Sequence, residues 1–161
     1  MPSRISEVLN NPMNEQMLET AKKLRKITLL NGNGKIFGQA RFIGTTYTQD
    51  RLVTLRDCLK NCSEEKAKDL LKKFLELQKQ SWALGIADMT FKFSGYGVTP
   101  DSEIVMLDLS RLTFSAEQIK MVISGRKWLS TLDARLLSPP LRYCFKEISD
   151  DLFEQNLAVF E

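Results

Sequence analysis

The strongest constraint in this chain is a single helix. Ser63 offers a hydroxyl for the N-cap, Glu64 and Glu65 follow in the first turn, and Gly85 supplies a stop. Between them Ala67, Leu70, Leu71, Phe74, Leu75 and Leu77 recur at helical spacing. A stripe that wide must be covered by other elements, which makes this helix the centre of a packed domain. The six lysines from Lys60 to Lys79 are read as a solvent-facing shield and not as phosphate ligands.

The flanking segments are shorter. Asn10 to Pro12 reads as a boundary before a helix from about Asn14 to Leu24, with Met17, Leu18, Ala21 and Leu24 on one face. Lys26–Leu30 and Lys35–Ile43 read as strands joined by Asn31-Gly32-Asn33-Gly34, residues that tolerate the positive φ of a hairpin turn. A short helix is predicted from Gln49 to Lys60. Beyond the long helix, strands are expected at Tyr96–Thr99 and Ile104–Leu109 around a Pro100-Asp101-Ser102 turn. Ser115-Ala116-Glu117-Gln118 matches a capping box for a helix ending near Gly125. Pro139 and Pro140 precede a helix through about Ile148, and Ser149 is placed to cap a last one carrying Leu152, Phe153, Leu157 and Phe160. The class is α+β.

Composition narrows the chemistry. The chain of 161 residues fits one domain, here divided into a helix-plus-hairpin part, 1–48, and a helical part, 49–161. It contains no histidine, which excludes histidine bases, Ser-His-Asp and Cys-His nucleophiles and histidine-bound metals. Twenty-three basic against 20 acidic residues, a net charge of +3, are interleaved along helices, so nucleic acid is not the expected partner. Cys58, Cys62 and Cys144 are an odd set with no apolar leader before them and no membrane-length apolar run, which points to a reducing, cytoplasmic setting. Cys58 and Cys62 lie one turn apart but cannot complete a zinc shell alone, and they read as small buried or half-buried side chains.

The chemistry concentrates between Trp82 and Ser115. Asp88 lies in the loop leaving the long helix, and Asp108 ends the apolar run Ile104-Val105-Met106-Leu107. Carboxylates at such loop and strand ends can meet a ligand: Asp88 to orient or deprotonate a hydroxyl, Asp108 to hold Mg²⁺. Each can equally cap its own turn by accepting nearby backbone amides. Ser124-Gly125-Arg126-Lys127-Trp128 sets two cations and an aromatic past a helix end. There the cations complement the helix dipole, and Trp128 with Leu129 reads as core.

Long helix, aspartate loop, short strand, tight turn, apolar strand and aspartate together resemble the C-lobe of protein kinases, and in particular small bacterial kinase-like proteins. The resemblance covers about Lys35 to Phe114. Ile36–Ile43, Gly44-Thr45-Thr46 and the helix after them look like the last N-lobe strand, the hinge and the helix beyond. It implies a helix-rich kinase-like C-lobe with a reduced N-terminal β-hairpin portion. Asp88 would be the catalytic-loop acid, Asp108 the magnesium and ATP ligand, and Lys92 a phosphate contact. The departures are substantial. Leu109-Ser110 replaces the Phe-Gly of the metal-binding motif, Gly95 stands where a second metal ligand is expected, and no GxGxxG or VAIK-like strand precedes Lys26. Several missing stabilising groups argue against efficient phosphoryl transfer. The expectation is a degenerate, pseudokinase-like protein with residual Mg²⁺-nucleotide binding and a regulatory role, working with a protein partner or a second copy. If active, it is a phosphotransferase. The alternative is a protein-interaction domain with no nucleotide site, its aspartates capping turns.

Overall fold

The computed structural model describes residues 8–12, 19–20, 22–23, 37, 41–43 and 46–160. Strands β1 (Val8–Pro12), β2 (Arg41–Ile43) and β3 (Thr46–Asp50) form an antiparallel sheet in the order β1-β3-β2. The boundary expected at Asn10 to Pro12 is thus the end of a strand. Pro12 is tolerated because β1 lies at the sheet edge, where a missing amide costs little. Glu19–Thr20 and Lys22–Lys23 are helical, as expected. Most of the Lys26–Ile43 hairpin, including Asn31 to Gly34, falls outside the described residues. Phe37, expected in a strand, is buried in a 3₁₀ turn, next to Gly38, a residue that weakens strands.

The helix predicted from Gln49 is later and shorter. Thr46, expected in a hinge, opens β3. β4 (Val53–Thr54) follows, and helix α1 (Leu55–Asn61) begins only after Thr54, whose hydroxyl accepts from the Asp57 amide at 3.2 Å. Thr46, Tyr47, Thr48, Val53 and Thr54 are β-branched or aromatic, and strand pairing wins there over helix.

Helix α2 (Glu64–Ala83) matches its prediction closely. The Ser63 hydroxyl accepts from the Lys66 amide at 3.2 Å. At the other end the amides of Gly85 and Ile86 return to the carbonyls of Trp82 and Ser81, each at 2.9 Å, with Gly85 at φ +77°. All six predicted apolar positions are buried, joined by Gln78, Ser81 and Trp82. The lysine face is partly tied down: Lys73 reaches the Ser102 carbonyl at 3.0 Å and Asp69 at 3.3 Å.

Next come β5 (Ala87–Asp88), a 3₁₀ turn at Phe93–Gly95, β6 (Tyr96–Val98), β7 (Ile104–Met106) and β8 (Leu112–Thr113). An antiparallel sheet runs β4-β6-β7, with Thr54 opposite Gly97 and Tyr96 opposite Met106, while β5 pairs with β8. Helix α3 (Ala116–Ser124) starts as expected from Ser115, whose hydroxyl accepts from the Gln118 amide at 3.3 Å. At its end Arg126, not Gly125, takes the left-handed conformation, with φ 46°. A 3₁₀ turn at Lys127–Leu129, α4 (Leu132–Arg135) and α5 (Pro139–Phe160) complete the chain.

The break expected at Ser149 does not occur. Ser149 is buried within α5, donates to the Phe145 carbonyl at 2.6 Å and accepts from the Trp128 indole at 2.9 Å. Tertiary bonding, invisible in a local pattern, claims the hydroxyl that the sequence offered as a cap. The core lies between α2, α5 and the small strands. Phe74 packs edge-on to Tyr96 (4.7 Å between centroids) and Phe93 (5.4 Å), and Trp82 lies against Trp128 at 5.4 Å. Cys58, Cys62 and Cys144 are half-buried free thiols. Among the described residues no helix is long and apolar enough to cross a membrane.

Candidate functional site

The site is organised by the exit of α2. The Gly85 turn sends the chain into β5, so Ala87 and Asp88 are buried opposite Thr113 and Leu112. The Met89 amide then bonds the Arg111 carbonyl at 2.8 Å. Phe91 follows at φ 52°, its ring buried against Trp128. A left-handed conformation at a bulky residue costs about 1–2 kcal/mol, held here by the surrounding packing.

Both oxygens of Asp88 are bonded inside the protein. Oδ1 accepts from the Thr90 amide (2.8 Å) and hydroxyl (3.1 Å), and Oδ2 accepts from the Tyr96 phenol at 2.6 Å. The phenol in turn accepts from Gln78 Nε2 at 3.0 Å, so α2, β6 and the loop share one buried chain of hydrogen bonds. Burial first, and the adjacent Asp88 second, hold the Tyr96 phenol well above its usual range.

Asp108 sits in a different environment. Strand β7 stops at Met106, two residues short of it, because the Leu107 and Asp108 amides both turn to the Gly95 carbonyl, at 2.9 and 3.1 Å. Asp108 is exposed. Its Oδ1 accepts from the Ser110 amide (3.1 Å) and hydroxyl (2.5 Å), while Oδ2 has no partner among the described residues. Gly95 lies directly against it, since a Cβ there would stand 3.2 Å from the Asp108 Cβ. The position where a second metal ligand was sought therefore does adjoin Asp108, but it carries no side chain.

The two aspartates repeat one local device. Asp88-Met89-Thr90 and Asp108-Leu109-Ser110 each present an acid whose Oδ1 takes the amide and the hydroxyl of the residue two positions on. Both turns are of the kind expected from the sequence, each aspartate accepting a nearby backbone amide, with the hydroxyl of the Asp-x-Ser/Thr spacing adding a second bond. Tyr96 and Gln78 gave no sequence signal of their role, because their partners are distant along the chain.

Lys92 is exposed just before the 3₁₀ turn and lines a cleft of about 490 Å³ with Arg56, Thr90, Ser94 and Asp133. Ser110, beside Asp108, lines another cleft of about 600 Å³ with Lys23, Arg111 and Gln118, where the Lys23 ammonium lies 5.0 Å from the centre of the Phe114 ring. Asp133 was also missed. It accepts from both Arg56 Nε (3.2 Å) and Nη2 (3.1 Å) and from the Phe93 amide (2.9 Å), locking the loop onto α1 and α4. No group of three or more acids or cysteines able to hold a metal occurs among the described residues.

No family model matches this chain, and no curated protein does. Solved structures do match. One is a divergent kinase lacking the glycine-rich loop, which regulates membrane ultrastructure of the Toxoplasma parasitophorous vacuole. The two superpose with a TM-score of 0.51 at 14% identity, over 96% of this chain and 65% of that one. The fold is kinase-like. This chain spans 65% of the length of that kinase, and at 14% identity the likeness speaks to the fold alone. Here α2 leads into β5, which carries Asp88 where a loop acid was expected, and Asp108 stands two residues past the end of β7.

Proposed function

We propose that this kinase-like protein is degenerate as an enzyme and works by binding in a reducing, cytoplasmic setting, with Asp108 as its residual Mg²⁺-nucleotide ligand. One contrast carries the proposal: Asp108 is exposed with Oδ2 unengaged among the described residues, whereas Asp88 is buried with both oxygens occupied. A carboxylate already accepting three hydrogen bonds is poorly placed to take a proton from a substrate hydroxyl. Asp88 would thus be a remnant of the loop acid that now holds the loop.

The donor set suits a magnesium ion arriving on a nucleotide better than a resident one. Mg²⁺ is often held by one or two carboxylates with phosphates and water completing its shell, and Asp108 supplies one. Such an ion would neutralise phosphate charge. Lys92 would add a phosphate contact from the neighbouring loop. The lack of a GxGxxG motif does not rule this out, because a kinase lacking the glycine-rich loop shares the fold.

A thermal-shift titration with ATP, with and without Mg²⁺, on wild type and Asp108→Ala tests it. At a hundredfold excess over Kd the occupied site should add roughly 2.7 kcal/mol of stability. A Mg²⁺-dependent shift lost in the variant is the expected result. Equal responses, or none, remove the nucleotide. The repeated Asp-x-Ser/Thr turn favours the second reading, an interaction domain in which both acids only cap turns.

A further inference from the structure

A groove of about 520 Å³ runs between α1 and α4, apart from the loop acids. Its apolar part includes Leu59, Leu132, Leu136 and Leu141. Leu132 and Leu136 stand one helical turn apart and are 64% and 73% exposed, although the same groove is lined by Leu141, which belongs to the buried core. Two large side chains left in water beside a preformed groove are a surface that association would cover.

The charge on the groove leans positive by one. Three of its lining residues carry charge: Arg56, Lys60 and Asp133. Asp133 is spent internally on Arg56 and the Phe93 amide, and its side chain is only 12% exposed. Arg56 keeps 41% of its side chain in solvent, and its Nη1 is not used in the Asp133 pair. Lys60 is exposed in the last turn of α1 and has no carboxylate partner among the described residues. The groove therefore shows leucines beside one cation outside any ion pair among the described residues, Lys60, and the solvent edge of the paired Arg56.

We propose that this groove docks an acidic, amphipathic helical segment of a partner protein. Apolar residues one turn apart on the partner would cover Leu132 and Leu136, and its carboxylates would meet Lys60 and the free edge of Arg56. A second copy is the poorer occupant. A two-fold contact sets the same patch against itself, placing Lys60 and Arg56 opposite their own counterparts. Arg56, Leu132 and Asp133 also line the cleft that contains Lys92, so an occupant reaches the edge of the candidate site. The proposal does not depend on Asp108 binding a nucleotide.

The probe is a fluorescein-labelled helical peptide with leucines four positions apart and glutamates flanking them, followed by anisotropy on the full chain. A second peptide replaces each glutamate with lysine. Wild type should bind the acidic peptide about tenfold or more tightly than the basic one, with affinity falling as salt rises. Leu136→Glu and Lys60→Glu should each weaken the acidic peptide about tenfold; Leu136→Glu should leave the thermal midpoint unchanged, and Lys60→Glu, which reverses a charge in the last turn of α1, should lower it only slightly. Equal binding of the two peptides, absence of saturable binding, or unchanged binding by both variants overturns the proposal. So does sedimentation showing a wild-type dimer that Leu136→Glu makes monomeric, because the groove would then be covered by a second copy.

Discussion

The phenol of Tyr96 donates a 2.6 Å hydrogen bond to Asp88 Oδ2, tying the middle strand of the β4-β6-β7 sheet to the acid that ends β5. Both residues are buried, and Gln78 closes the chain from α2. Asp88, at the end of β5, is therefore held inside the fold.

Tyr96→Phe keeps the ring against Phe74 and removes only the hydroxyl. It leaves one Asp88 oxygen without its donor, and the expected loss is about 1–3 kcal/mol in urea unfolding. The pH dependence identifies the bond. The folded phenol holds its proton above the ordinary value of 10.0, while the unfolded phenol releases it there. The folded state then binds more protons, so this contribution is complete below pH 10 and declines as pH rises further. The wild type should lose stability above pH 10 more steeply than Tyr96→Phe. Parallel curves would contradict the assignment.

The two aspartates should separate in stability. Asp88→Ala strips an acceptor from the Thr90 amide, the Thr90 hydroxyl and the Tyr96 phenol, and the expected cost is about 2–3 kcal/mol or more. Asp108→Ala loses two hydrogen bonds of one exposed turn, both to Ser110, and should cost less than about 1 kcal/mol. Chemical denaturation of both variants checks this. Similar losses would mean that Asp108 also holds the fold.

How far the sequence exposed these features depends on the range of the interaction. Helix α2 was legible from end to end because its cap, stripe and Gly85 stop are all local. Asp88 and Asp108 stood out as candidates for the same reason, each marked by its place after a helix or an apolar run. Ser149 was misread as a cap because its partner Trp128 lies 21 residues away. Asp133 was missed because Arg56 and Phe93 approach it from 77 and 40 residues away. The Gln49–Lys60 helix was drawn too long because Thr46 to Thr54 has strand propensity that only a paired sheet makes decisive.

Gly97 should resist substitution. It lies opposite Thr54 in the sheet, and a Cβ there would fall 2.9 Å from both Leu107 Cδ1 and Leu52 Cβ. Leu52 is in the connection to the N-terminal sheet and Leu107 precedes Asp108, so the crowding acts on both sides of β6. Gly97→Ala should cost about 1–3 kcal/mol through overpacking. A thermal midpoint equal to wild type would show that the two leucines move aside.

Ser149→Ala offers an optical test of the core. The Ser149 hydroxyl accepts the Trp128 indole N–H at 2.9 Å and donates to the Phe145 carbonyl at 2.6 Å, deep inside α5. Alanine is a good helix former and removes the i−4 bond that competes with the helix, which offsets a few tenths of a kcal/mol. The buried indole N–H is left without a partner, a penalty of about 1–3 kcal/mol, so net destabilisation is expected. The emission should also change, since Trp128 lies 5.4 Å from Trp82 and both rings are buried. Ser149→Thr, which retains a hydroxyl, should restore the emission even if its extra methyl strains the packing. Unchanged fluorescence and stability in Ser149→Ala would show that the serine is only a small residue tolerated within the helix.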